Sequence, residues 1–210
     1  MKILLIVVNL LLCYCTAYSQ EILSSVFLLK QGISKMDALS EIQSKSNISD
    51  INIYNTQSKT NEQNQIYFSD QVNYVHNENF WIGGYRNINL LVFTNDKLWE
   101  QNVRLFFEPS DSKICSEKFS DFIKAFSSRD YITKPYILTD PETNEKIGEG
   151  SIITKRPPLR QKADTSWRID VFYTIEYESK FDSAQKKRIK TGKVDDYELD
   201  AILYEMKFNK

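Results

Sequence analysis

A single histidine, His76, is all the imidazole this chain offers. A Ser-His-Asp or Cys-His centre would have to use it. It stands in Tyr74-Val75-His76-Asn77-Glu78, with no G-x-S-x-G segment or other nucleophile pattern elsewhere. Zinc sites draw on several Cys and His side chains, and one of each is too few, so neither a metal nor another cofactor is expected. Cysteine is scarce in the same way. Cys13 and Cys15 lie in a segment expected to be removed, which leaves Cys115 without an intrachain disulfide partner. A helix is predicted to open at Cys115, where the dipole favours a thiolate; the ordinary role of such a residue is small buried filler. No phosphate-cradling glycine loop is present. After the first 20 residues no apolar run approaches the length of a membrane span. Charge is balanced, with 27 basic and 28 acidic side chains, so nothing concentrates the basic surface that nucleic acid requires.

What the chain does have begins at its start. Lys2 is followed by an apolar run from Ile3 to Leu12, interrupted only by Asn9, and Ala17-Tyr18-Ser19 places small residues before Gln20. This is the pattern of a secretory signal peptide over residues 1–19, and the protein is expected to be exported: periplasmic, cell-surface or secreted. Leu12 precedes Cys13 and Tyr14 precedes Cys15, where the lipoprotein pattern asks for a small residue, so a free mature protein is expected over a lipid-anchored one. Removing 1–19 takes one of the 27 basic side chains and none of the acidic ones, leaving a net charge of −2. The content is 41% hydrophobic and 26% charged, which suits a packed domain rather than a disordered chain.

Periodicity divides the remainder. Ser34 is a predicted N-cap with Asp37 three residues on, and Met36, Ala38, Leu39 and Ile42 mark a helix over 35–45. Strands are expected at Ile51–Ile53, Ile66–Phe68, Val72–Val75, Phe80–Ile82 and Tyr85–Phe93, with a polar loop over Asn55–Asn64 and a bend at Gly83-Gly84. Thr94-Asn95-Asp96-Lys97 is a predicted turn, and Leu98–Phe107 the return strand. Glu108-Pro109-Ser110-Asp111 is the clearest break. Phe119, Phe122, Ile123 and Phe126 stand at i, i+3, i+4 and i+7, which predicts a helix over 115–127. Strands follow at Tyr136–Thr139 and Ile147–Thr154. From Trp167 to Tyr177 apolar residues alternate with Arg168, Asp170, Thr174 and Glu176, the mark of a long antiparallel strand with one buried face. Residues 197–208 fit both periods, and strand is the preferred reading.

The fold class is therefore α+β: antiparallel sheet packed against one or two helices. The helix-then-strands order occurs twice, over 20–108 and 109–210. That suits either two tandem helix-plus-four-strand units or one continuous sheet carrying both helices. The order resembles that of the β-lactamase-inhibitor and outer-membrane assembly proteins, and Gly32-x-Ser34-x-x-Asp37-Ala38 is similar to their helix start. Cystatin-like and nuclear-transport-factor-like folds, with a curved sheet wrapped on helices, suit the order equally.

Candidate sites follow from the aromatics, 13% of the chain. Trp81, Tyr85 and Trp99, with Phe80, bracket the predicted hairpin at residue 95 and form a candidate binding surface, since aromatic anchors dominate many interfaces; completing the core is the alternative. Trp167, Tyr173 and Tyr177 would instead line a pocket between sheet and helix. Asp140, Glu142 and Asn144 begin a calcium-loop spacing, but Glu145 stands where glycine is needed and Ser151 where a closing Glu is needed. Lys186-Lys187-Arg188-Ile189-Lys190 with Lys193 forms one basic run, expected as a hairpin tip at Thr191-Gly192. Asn47-Ile48-Ser49 matches the glycosylation triplet. The expected role is a non-catalytic exported binding or assembly protein with a protein or cell-envelope polymer partner. The alternatives are a small-ligand carrier or enzyme with a sheet–helix pocket, and a structural subunit of an envelope or surface assembly.

Overall fold

A computed structural model of the chain describes residues 23, 26–27, 29–44, 48–57, 62–70, 85–128, 130–141, 143–157, 166–182 and 187–208. The signal segment 1–19, Asn47, the 72–75 and 80–82 strands, His76, Trp81 and the Gly83-Gly84 bend lie outside these. Among the described residues the elements are two α-helices and eight strands: α1 (Lys35–Ser44), β1 (Ile48–Gln57), β2 (Glu62–Asp70), β3 (Arg86–Thr94), β4 (Lys97–Phe107), α2 (Ser112–Ala125), β5 (Tyr131–Thr139), β6 (Lys146–Lys155), β7 (Trp167–Asp182) and β8 (Lys187–Glu205). The strands form one antiparallel sheet in the order β1-β2-β3-β4-β8-β7-β6-β5.

Local chemistry sets the boundaries. The Ser34 hydroxyl accepts from the Asp37 N–H at 3.1 Å and donates to its carboxylate at 2.7 Å, closing the first turn of α1. Asn95 and Asp96 take φ of 49° and 59° in the two-residue turn between β3 and β4, the left-handed pair whose twist matches a tight hairpin and which Asn and Asp tolerate. Asp96 then reaches across to accept the Lys35 N–H at 3.0 Å, so the hairpin also anchors α1. Pro135 lies in β5, an edge strand, where a missing donor costs least.

Both helices pack on the same face of the sheet. Leu98, Gln101, Val103, Leu105 and Phe107 of β4 are buried on that face. α1 seats Ala38 and Ile42 on Ile66, Phe68, Leu91, Phe93 and Leu98. α2 seats Phe119, Phe122 and Cys115 on Val103, Leu105, Ile169, Val171 and Leu199, as its spacing predicts. The two apolar clusters are parted by a polar seam. Asn89 donates to Asn87 at 3.0 Å, and the Gln101 amide brackets the Leu29 backbone, accepting from its N–H at 3.2 Å and donating to its C=O at 2.7 Å. A side-chain amide that closes both backbone groups of another segment satisfies them as a strand neighbour would.

Three expectations need correction. Met36 is 70% exposed, so the packing stripe of α1 runs through Ala38, Leu39 and Ile42 without it. The polar stretch over Asn55–Asn64 is largely strand, because β1 and β2 pair out to Gln57 and Glu62 through backbone bonds that need no apolar side chain. By contrast, the preferred strand reading of the tail stands over 197–205, held between β4 and β7. Thr191-Gly192 is no hairpin tip: β8 runs through it, and Gly192, at φ 81°, sits where the β7–β8 register shifts, the conformation only glycine supplies cheaply in a bulge.

Candidate functional site

The face of the sheet opposite the helices is where the candidate residues separate from the core. Register decides which side chains belong to it. Leu98 and Gln101 both point to the helix side, and Val92 faces Glu100 while Phe93 faces Leu98. Two residues of β4 therefore oppose one gap in β3, which is a bulge, and Trp99 and Glu100 both emerge on the open face. Beyond them follow Asn102, Arg104 and Phe106, paired across β8 with Ile202, Asp200 and Glu198. β7 adds Arg168, Asp170 and Phe172.

Aromatic rings and arginines interleave there. Trp99 lies 6.0 Å from the Tyr204 ring, and the Arg168 guanidinium is 5.7 Å from that ring on its other flank. Arg86 sits over Phe106 at 4.4 Å. Tyr136 of β5 lies against Gly150, where any Cβ would strike its ring. Such guanidinium–ring contacts are attractive through the ring quadrupole. Arg104 spans two carboxylates, Glu198 at 2.8 Å and Asp200 at 3.0 Å, and Arg168 grips Asp170 with two nitrogens. Asp200 is 1% exposed and Asp170 8%. Burial raises the Asp200 carboxyl above its ordinary range, with Arg104 opposing it. Burial likewise pushes Glu100 up to about 7 and the Tyr204 phenol up to about 12. Three buried polar atoms on this face, Trp99 Nε1, Asn102 Oδ1 and Asp200 Oδ2, find no partner among the described residues.

The residues proposed from sequence do not converge. Trp99 is on the open face, whereas Tyr85 packs on the helix side, 4.4 Å from Phe107 and beneath Lys118 of α2. Trp81 lies outside the described residues, so Trp99 alone of that group is placed on the open face. Trp167 is 7% exposed, between Tyr131 and Lys155, and Tyr173 meets Phe119 edge-on at 5.3 Å. Both fill the space between sheet and α2. Tyr177 stands apart, near Lys190 at 5.6 Å. The residues missed were Arg104, Arg168, Tyr136 and Tyr204. The signal that could have found one of them, Arg168, was the polar side of the 167–177 alternation, where it stands two residues from its partner Asp170.

Other candidates resolve into structure. Asp140 accepts the Thr143 N–H at 3.1 Å and is ion-paired to Lys190, which makes the 140–144 segment a turn with its carboxylate engaged. Lys193 pairs with Glu178, so cross-strand carboxylates partly neutralise the basic run. No group of three metal-ligating side chains converges among the described residues. Cys115 is the fourth residue of α2 and fully buried, and burial pushes its thiol up to about 12. Cys115 is thus the buried filler of the ordinary reading, and the reactive-thiolate alternative fails because desolvation outweighs the dipole. A thiol reagent at pH 8 is therefore expected to leave the native protein unlabelled and to label it fully in urea; rapid native labelling would contradict the burial.

Beside this face, a pocket of about 600 Å³ opens where β4 ends, lined by Tyr85, Arg86, Phe106, Glu108, Asp111 and Asp196 among others. No described helix is long and apolar enough to cross a membrane. Compared with family models, with curated proteins and with solved structures, the chain matches none.

Proposed function

We propose that the chain is an exported, non-catalytic binding module that captures a protein or envelope-polymer partner on the open face of its sheet, with Trp99 as the anchor. One observation carries this reading: Trp99, Tyr204 and Arg168 meet, with Arg104 farther along β4, on a face that no described helix covers. Trp, Tyr and Arg are the residues in which interface hot spots are richest. The indole N–H of Trp99, which has no acceptor among the described residues, supports it, because a buried donor of this kind costs stability until something accepts from it. We also read the chain as two helix-plus-four-strand units joined along β4 and β8. The mirrored sheet order supports this, each unit running outward from the seam to its own edge strand.

The test is quantitative capture of a partner by the wild-type chain and by Trp99→Ala and Trp99→Phe, with melting temperatures measured alongside. Loss of an anchor costs about 2 kcal/mol or more, roughly thirtyfold in affinity. Trp99→Ala is expected to lose capture to that extent and Trp99→Phe less, while Met36→Ala on the far face changes nothing. Equal retention by folded Trp99→Ala overturns the assignment. A sheet–helix pocket carrier is disfavoured by the packing of Trp167 and Tyr173 against α2.

A further inference from the structure

The two edges of the sheet are not alike. β5 borders one side, and its exposed middle carries Lys134 and Pro135. A lysine and a missing N–H are common devices that discourage a further strand from adding to an edge. β1 borders the other side with no Lys, Arg or Pro, and Asp50 is its one charge. A bulge is a third such device, and β1 has one between Ser49 and Asn52. Beyond it the pairing to β2 runs unbroken from Asn52 against Tyr67 to Gln57 against Glu62. Among the described residues, no strand and no backbone hydrogen bond meets the outer side of that run. Its outward N–H and C=O groups therefore form an open template.

The side chains mark the same edge. Ile53 stands opposite Ile66, so both project to the helix side of the sheet. Ile66 is 0% exposed and Ile53 48%. α1 sits over β2, β3 and β4, and its cluster reaches β1 only at Ile51. The apolar layer thus runs out to the edge and stops half covered. A strand added here would take up the backbone groups and cover Ile53 at once.

We propose that this strand is β1 of a second copy of the chain, the two running antiparallel about a two-fold axis normal to the sheet. Such an axis keeps the helices of both copies on one side. Each Ile53 then lies on the helix side of the seam with its equivalent from the other copy, so β1 supplies the apolar cover that it lacks. Antiparallel pairing centred within 52–57 sends the two Asp50 carboxylates to opposite ends, and no like charges face each other. The alternative of β1 on β5 of the next copy would repeat without end. Pro135 and Lys134 oppose it, so assembly stops at two. A seam of this length is small, and a weak, concentration-dependent dimer is expected. Both open faces then look to the same side, and the dimer carries two copies of the Trp99 surface.

Sedimentation velocity of the purified chain from about 1 to about 500 µM tests this, with hydrogen exchange read by mass spectrometry at both ends of that range. A reversible monomer–dimer shift is expected. Peptides covering 48–57 should exchange several-fold more slowly in the concentrated sample, and those covering 131–139 should not change. Ile53→Lys sets two like charges beside the seam and should need about tenfold more protein to dimerise. Ile137→Lys, at a residue of β5 that is 65% exposed, should dimerise as the wild type does. A monomer at every concentration would overturn the proposal, as would growth beyond the dimer. So would a dimer whose 48–57 peptides are no better protected than the monomer's, or an Ile53→Lys variant that melts and dimerises like the wild type. Equal loss of dimer in Ile137→Lys would show that β1 is not the seam.

Discussion

Arg104→Ala is expected to destabilise the protein by about 3–5 kcal/mol at neutral pH, the usual cost of stranding one member of a buried ion pair. Asp200 is the more deeply buried of the two carboxylates this strands, Glu198 being the other. It is 1% exposed, and Arg104 Nε at 3.0 Å is the cation that pairs with it, beside a hydrogen bond from the Asn102 side chain. Its escape is to take up a proton, which at pH 7 costs about 1.4 kcal/mol for each unit between its ordinary pKa and the solution pH. Two further outcomes follow. The deficit should shrink as pH falls toward 4, since acid supplies the proton that the variant needs. Arg104→Met/Glu198→Met/Asp200→Leu, which removes all three charges of the group, should recover most of the loss, because apolar replacement of a whole buried ion-paired group is close to neutral. Urea denaturation of the three chains from pH 4 to pH 8 measures all of this. A loss under about 1 kcal/mol, the exposed-pair value, would mean that water reaches Asp200.

Glu100 gives the second large effect, with a sign opposite to that of most acids. Its side chain lies between Val92 of β3 and Tyr204 of β8, and burial lifts its carboxyl from 4.5 to about 7. The folded state thus holds its proton more tightly than the unfolded state. The contribution is fully present below pH 4.5 and is lost as pH rises through 7, amounting to at most about 3 kcal/mol, less whatever water screens. Glu100→Gln cannot ionise, so it should flatten the decline between pH 5 and pH 8 and be the more stable chain at pH 8. Parallel pH profiles for wild type and variant would place Glu100 in contact with solvent.

The fold showed itself in the sequence wherever one face of an element is buried. The stripe of Phe119, Phe122 and Phe126 and the alternation from Trp167 to Tyr173 both arise because one face meets a partner layer. The ends of β1 and β2 did not show, since their pairing is made by backbone and their side chains are polar. The candidate face was hidden for two reasons. The bulge at Trp99 breaks alternation, so counting along β4 cannot say on which side the indole emerges. The depth of Asp170 and Asp200 was invisible too: they stand among the polar residues of β7 and β8, yet both strands are interior to the sheet, Arg104 of the adjacent β4 reaches Asp200, and Arg168 folds along its own strand onto Asp170. Polar burial of that kind depends on strand order, which a single sequence does not display.

The seam between β4 and β8 has a kinetic meaning. Every other strand pair in the sheet joins consecutive strands, whereas Val103 meets Ala201 across nearly half the chain. Loop-closure entropy makes that contact the costliest to form, and contacts of high sequence separation slow folding. The two four-strand arrays can assemble first, each with a raw edge waiting for the other. At high concentration the edge of β4 in one copy meets the same complementary β8 in another, so refolding at the bench is where exchanged dimers should arise.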